Sequence, residues 1–190
     1  MGKIFVVMGK SAVGKDSLLN LMVEKGYKRV VSHCSRPRRS NEISDRDYHF
    51  VKQQQMLDMI ENNEFVETRS YNVVENQTWL YGISKSEIDL ESNDNYISVV
   101  DGQGFKTLRE FYGAENVVGI YLWISNRERL LRSLNRCELD DKAVLEIIRR
   151  FKDDDAVFTK EVISNCVLQI NNISLSDTLN IVLRNLETRI

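Results

Sequence analysis

A chain of 190 residues, 42% hydrophobic and 28% charged, has the size and balance of one folded domain, with or without insertions. Its formal net charge of −2 gives no electrostatic basis for general attachment to nucleic acid or to an anionic membrane. The longest apolar run, Val117–Ile124, is eight residues with a glycine inside it, far short of a membrane span.

In chain order, Ile4–Met8 (IFVVM) is continuously apolar, the pattern of a strand buried on both faces of a parallel sheet. A glycine-bearing loop leads from it into a predicted helix over Ser17–Lys25, with Leu18, Leu21, Met22 and Lys25 at helical spacing and Gly26 as its stop. The stretch from Ser32 to Ser84 breaks the rhythm. It holds the sole proline, Pro37, short alternating runs at Asp47–Val51 and Glu64–Thr68, and one short helix over Gln53–Asn62, and so reads as a small α+β insertion. Strands at Tyr96–Val100, Val117–Ile124 and Cys166–Ile170 then alternate with helices near Gln103–Phe111, Asn126–Arg136, Asp140–Glu161 and Ser174–Glu187. Strands alternating with helices predict an α/β fold with a parallel sheet flanked by helices.

The loop after the first strand reads GKSAVGKDS, with Gly9, four residues, Gly14 and Lys15 in the spacing of a phosphate-binding loop. A glycine-rich turn opening a helix presents backbone N–H groups and the positive end of the helix dipole to phosphate oxygens. Gly9, Ser11, Ala12, Val13 and Gly14 are the predicted cradle, and Lys15 is expected to reach the β- and γ-phosphates of a bound nucleotide. The next residue is as a rule a Ser or Thr that helps hold Mg2+; here Asp16 stands there and Ser17 follows. Asp16 could ligate the ion directly or through water, or Ser17 and water could complete the shell with Asp16 turned away. Both are metal candidates.

Three further clusters carry charge. Arg36, Arg38 and Arg39, followed by Tyr48, gather forked donors and a phenol suited to a phosphate monoester, although such a loop taken alone is more often a solvated surface. In Asn126–Cys137, Leu130, Leu131 and Leu134 share one helical face and Arg129, Arg132 and Arg136 the other, while a later helix carries Arg149 and Arg150. Asp153–Asp155 reads as a solvated helix face, because consecutive helical residues point apart and make a poor metal cage. His33 and His49 lack metal-ligand spacing. The cysteines, Cys34, Cys137 and Cys166, predict reduced thiols in the cytoplasm rather than a disulfide framework.

At the insertion the sequence resembles the guanylate kinase family. Ser32, Arg36, Arg39, Glu42, Asp47, Tyr48 and Phe50 fall on the family pattern S-x-T-T-R-x-x-R-x-G-E-x-x-G-x-D-Y-x-F, MIENNEFVET matches a family stretch ending in glutamate, here Glu67, and YGISK (Tyr81–Lys85) is similar to YYGTSK. The resemblance runs the length of the chain. It implies one P-loop domain over 1–190, with its core in 1–31, 85–125 and 150–190, an acceptor-binding insertion at 32–84 and a helical lid at 126–149. It implies transfer of the γ-phosphoryl group of ATP, with Mg2+, to GMP or dGMP by a monomer or homodimer that binds neither nucleic acid nor membrane. By resemblance Arg36, Arg39, Tyr48 and Tyr81 hold the acceptor phosphate, Ser32 and Glu67 the base, and Glu42 and Asp101 complete that site. Arg132, Arg136 and Arg149 or Arg150 clamp the transferring group, and Asn171 is similar to a residue beside the adenine of ATP. The chain departs from the family at Cys34, Ser35, Asn41, Asp45 and Ile83, the last replacing a Ser or Thr that touches the base. Val99 replaces one of two acids, Asn72–Trp79 is lengthened, and the lid GRG is NRC. The Gly-Lys-Asp-Ser loop also resembles kinases of ribose 1,5-bisphosphate. A non-catalytic guanylate-kinase-like binding module is a third reading, opposed by retention of Lys15 and the lid arginines.

Overall fold

The computed structural model describes residues 2–39, 42–73, 77–135 and 140–187. The elements in chain order are β1 (Ile4–Met8), α1 (Lys15–Glu24), β2 (Lys28–Arg29), β3 (His33–Cys34), β4 (His49–Phe50), α2 (Gln53–Glu61), β5 (Phe65–Val73), β6 (Gln77–Ser84), β7 (Tyr96–Val99), α3 (Gly102–Tyr112), β8 (Val117–Trp123), α4 (Asn126–Leu134), α5 (Asp141–Val157), α6 (Lys160–Ser164), β9 (Leu168–Asn171) and α7 (Leu175–Glu187). A five-stranded sheet runs in the order β2-β7-β1-β8-β9, with every pairing parallel.

β1 explains the uninterrupted apolar run. Phe5 and Val7 face Leu18 and Met22 of α1 and Val182 and Leu186 of α7, while Ile4, Val6 and Met8 face Phe105 and Leu108 of α3 together with Phe158. With helices on both faces the strand has no solvated side on which a polar residue could sit. Gly119 in β8 lets α3 come close, since a Cβ there would lie 2.7 Å from the Phe105 ring.

The predicted helix over Asp140–Glu161 is two helices. Phe158 leaves helical geometry and is buried, its ring 5.8 Å from that of Tyr121, and Thr159 caps the new helix by accepting from the Val162 N–H at 3.4 Å. Burial of one aromatic side chain outweighs continuity of a helix whose next turn starts with a good cap.

A second, four-stranded sheet, in the order β4-β3-β6-β5, is built within 33–84. Its long hairpin pairs β5 with β6 from Phe65↔Ser84 to Val73↔Gln77. β5 continues well past the predicted Glu64–Thr68, because its inward positions are Glu67, Arg69 and Tyr71 and its outward ones Thr68, Ser70 and Asn72, so no apolar alternation marks it. No helix among the described residues is long and apolar enough to cross a membrane.

Candidate active site

The loop between β1 and α1 turns through three left-handed positions, Gly9, Ala12 and Gly14. Such turns point successive N–H groups inward as an anion nest. Gly14 is the N-cap of α1 and supplies no side-chain cap, so the helix end is left open toward that nest. Its φ of 97° suits glycine, and a Cβ there would lie 2.6 Å from Asn172 Nδ2. Asn172, buried at the end of β9, donates to Val13 O at 2.7 Å and accepts from Thr178 Oγ1 at 2.7 Å, so α7 braces the back of the loop. Lys15 Nζ donates to Gly9 O at 2.8 Å and Lys10 O at 3.0 Å, which lays the ammonium over the loop's first limb. Asp16 is exposed in the first turn of α1, and its charge acts on Arg29 and Tyr48; Ser17, beside it, is half-buried.

The aspartate run is solvated at Asp153 and Asp155 but not at Asp154. Asp154 is 9% exposed and accepts from the Ser11 N–H at 2.8 Å and the Ser11 hydroxyl at 3.3 Å. It is also ion-paired to Arg129, which is 1% exposed and donates to Ser11 O and Asn126 Oδ1, both at 2.9 Å, with its guanidinium 4.2 Å from the Phe151 ring centre. Asp155 pairs with Lys10 and Asp153 with Arg149. A pair of side chains from α4 and α5 thus pins the outer limb of the loop. Desolvation of a charge in a helix interior face is tolerated here because each partner satisfies the other. Arg129 belongs to the predicted basic face, but burial rather than solvent receives it.

The remaining arginines of that face divide. Arg132 donates to Asn172 O at 3.1 Å and reaches Val13 O at 3.5 Å, beside the loop. Arg136 lies outside the described residues. Arg149 and Arg150 both bond Glu146 at 2.8 Å, and burial of Glu146 is outweighed by these guanidinium groups, which hold its carboxyl below the ordinary range. Asn171 is exposed on the edge strand β9, and its buried neighbour Asn172 is the one that touches the loop.

The second sheet carries the residues expected to hold the acceptor. Arg36, 4% exposed, donates through Nε to Tyr81 Oη at 3.1 Å and through its other nitrogens to Glu42 at 2.7 and 2.5 Å, and it stacks 5.1 Å from the Tyr48 ring centre. Glu42 also accepts from the Arg39 N–H at 2.9 Å, so it orients both arginines; the Arg39 side chain is exposed. Burial pushes the Tyr81 phenol up to about 12 and raises that of Tyr48, which keeps both as neutral donors.

Along β5 from this end, Arg69 and Glu67 face the same side as their register partners Tyr81 and Ile83. Arg69 NH2 donates to Glu67 Oε1 at 3.1 Å; Nε lies 2.9 Å from Oε2 without the alignment of a hydrogen bond. Burial raises the Glu67 carboxyl above the ordinary range, opposed by Arg69. Asp101 caps α3 by accepting from the Gly104 N–H at 2.9 Å and accepts from the Tyr71 hydroxyl at 2.5 Å. Ser32 is buried, and its carbonyl accepts from the His49 N–H. Cys34 and Cys166 are buried free thiols.

The sequence did not single out Arg69, Tyr71 or Asn172, and it presented Arg129 and Asp154 only as parts of a basic face and of a solvated acidic run. Arg69 and Tyr71 stand two and four residues after Glu67, which is a strand-periodicity signal once β5 is known to continue.

A family model described as guanylate kinase matches residues 1–187. The chain is 34% identical over 150 residues to guanylate kinase 2, chloroplastic/mitochondrial, of Oryza sativa subsp. japonica, over 76% of this chain but only half of that protein's length. It is 31% identical over 156 residues to the guanylate kinase of Chromohalobacter salexigens, covering 80% of this chain and 68% of the relative. The crystal structure of guanylate kinase from Anaplasma phagocytophilum superposes with a TM-score of 0.67 at 21% identity, over 98% of this chain and 85% of that one, a likeness of fold.

Proposed function

The chain belongs to the guanylate kinase family, and we propose that it is an ATP-dependent kinase of GMP or dGMP. The observation that carries this reading is the face of the second sheet. It carries Arg36, Tyr48 and Tyr81 together and, on the same sheet, a buried carboxylate, Glu67, residue types that suit the phosphate and the base of a nucleoside monophosphate. A carboxylate accepts from both N1–H and the amino group of guanine, which adenine does not offer.

The roles follow from position. The N–H groups of Gly9–Gly14 and the Lys15 ammonium hold the outer phosphates of ATP, with Lys15 exchanging its carbonyl partners for phosphate oxygens. Arg132 stands beside the loop, and Arg136, Arg149 and Arg150 complete a clamp on the transferring group. Arg149 and Arg150 reach it by giving up Glu146 as the lid, 126–149, closes over the core, 1–31, 85–125 and 150–190, and over the acceptor insertion, 32–84. The reaction needs no covalent intermediate: alignment, exclusion of water and charge stabilisation supply the catalysis. Asp16 and Ser17 provide one carboxylate and one hydroxyl, a donor set suited to Mg2+ that arrives on the phosphates rather than in a protein cage. When bound, that ion offsets phosphate charge. Asn171 stands at the adenine side. The buried thiols suit a reducing cytoplasm.

A coupled ADP-release assay with MgATP tests the reading against GMP, dGMP, AMP, CMP, UMP, dTMP and ribose 1,5-bisphosphate. Turnover of GMP and dGMP above the others is expected. Turnover confined to ribose 1,5-bisphosphate, or none at all, would overturn it.

A further inference from the structure

Arg69 has no part in the roles above, yet it is a cation with its side chain 11% exposed at the base end of the acceptor face. Its fork does not close on Glu67. One bond is made, NH2 to Oε1, while Nε and Glu67 Oε2 face each other at 2.9 Å with neither in a hydrogen bond. Arginine–carboxylate pairs are frequently bidentate, and an unmade bond in a buried site is costly. The arrangement leaves a buried donor and a buried acceptor side by side at the base end of the face. The neighbours do not fill them: Tyr71 donates to Asp101, Tyr81 accepts from Arg36, and Ile83, paired in register with Glu67 and fully buried, reaches the carboxyl only through its backbone N–H and has no polar side-chain atom.

We infer that Arg69 is a specificity-determining residue that donates to the acceptor edge of a 6-oxopurine, its O6 and N7, while Glu67 accepts from N1–H and the 2-amino group of the same base. This rests on the proposed guanylate kinase activity. The complementarity is by donor and acceptor order. Guanine presents N7 and O6 as acceptors, then N1–H and the amino group as donors, and Arg69 followed by Glu67 is the mirror of that order. Adenine turns an amino donor toward the guanidinium and an acceptor, N1, toward the carboxylate. Cytosine makes the same two mismatches. Uracil and thymine match at O4 and N3–H but set O2 against the second carboxylate oxygen. Hypoxanthine loses only the amino contact. The expected order is guanine, hypoxanthine, then uracil and thymine, with adenine and cytosine last.

The experiment measures kcat/KM for GMP, 6-thio-GMP and 7-deaza-GMP with the wild-type chain, Arg69→Met and Arg69→Lys. The first analogue weakens only the acceptor at position 6 and the second removes only N7. The wild-type chain is expected to prefer GMP over at least one analogue by about fivefold to a hundredfold, the worth of a forked arginine contact to these two atoms. Arg69→Met, which keeps the volume of the stem, is expected to lose about as much on GMP and to bring that preference close to unity. Arg69→Lys, a point charge in place of a fork, is expected to fall between them, and it carries the test should the methionine variant not fold. If the variants lose activity on all three substrates alike, with the preference kept, Arg69 only supports Glu67 or the fold and the inference fails. A wild-type chain indifferent to both analogues overturns it equally. A wild-type chain that does not phosphorylate GMP overturns the guanylate kinase reading itself.

Discussion

Replacing Asp154 by alanine should cost this protein about 3 kcal/mol of stability, near the lower end of the 3–5 kcal/mol that follows removal of one partner of a buried ion pair. Arg129 is 1% exposed and Asp154 9%, so the guanidinium left behind has little water to turn to. It keeps two neutral acceptors, Ser11 O and Asn126 Oδ1, both at 2.9 Å, and the Phe151 ring at 4.2 Å. A desolvated cation–π contact retains about 2 kcal/mol of attraction, which is why the lower end applies. For a domain of this length each kcal/mol lowers Tm by about 2–4 °C, so a fall of about 6–12 °C is expected. Urea unfolding followed by circular dichroism measures the free energy, and the double change Arg129→Leu with Asp154→Leu supplies the control. Removal of both charges should recover most of the loss, because the penalty lies in the orphaned charge. Both variants also free the Ser11 N–H, so the KM for ATP should rise in each. A cost below about 1 kcal/mol for Asp154→Ala, or a double variant no more stable than the single one, would refute the clamp.

Lys15→Ala should lower kcat by about a hundredfold or more with an unchanged circular dichroism spectrum, and intact phosphoryl transfer would remove the loop from the mechanism. Gly14→Ala forces a Cβ into a left-handed position 2.6 Å from Asn172 Nδ2; it should destabilise the chain by about 1–3 kcal/mol and weaken MgATP in calorimetric titration, and unaltered nucleotide affinity would count against the loop geometry. Burial opposes ionisation of Glu42, but the bonds from Arg36 and the Arg39 N–H outweigh it and hold the carboxyl below its ordinary value. Its contribution is therefore complete above about pH 4.3 and is lost as pH falls through the lower folded value, so stability should drop on that acid limb. Glu42→Gln should flatten the limb in unfolding curves taken across that range; a limb that keeps its slope would show that other carboxylates control it.

The strand-loop-helix at the N-terminus was legible in the residues themselves. IFVVM allows no solvated face, and the spacing of Gly9, Gly14 and Lys15 is local chemistry that needs no distant partner. The parallel sheet with helices on both faces follows from the same patterns, as the two packed faces of β1 bear out. The hairpin of β5 and β6 left such a trace only in its opening run, Glu64–Thr68. Its pocket side is Glu67, Arg69 and Tyr71, polar residues buried because they meet one another and Asp101, and hydrophobic periodicity is blind to burial obtained by pairing. The break at Phe158 likewise depended on the Tyr121 ring, a neighbour distant in sequence. Arg129 and Asp154 marked the same limit: one read as part of a basic face and the other as part of a solvated acidic run. Each charge is buried because its counter-charge is brought to it across 25 residues of chain by the packing of α4 against α5 and the loop. Motifs and apolar periods are properties of short segments and could be read directly, whereas the destination of a charge depends on what the fold sets opposite it.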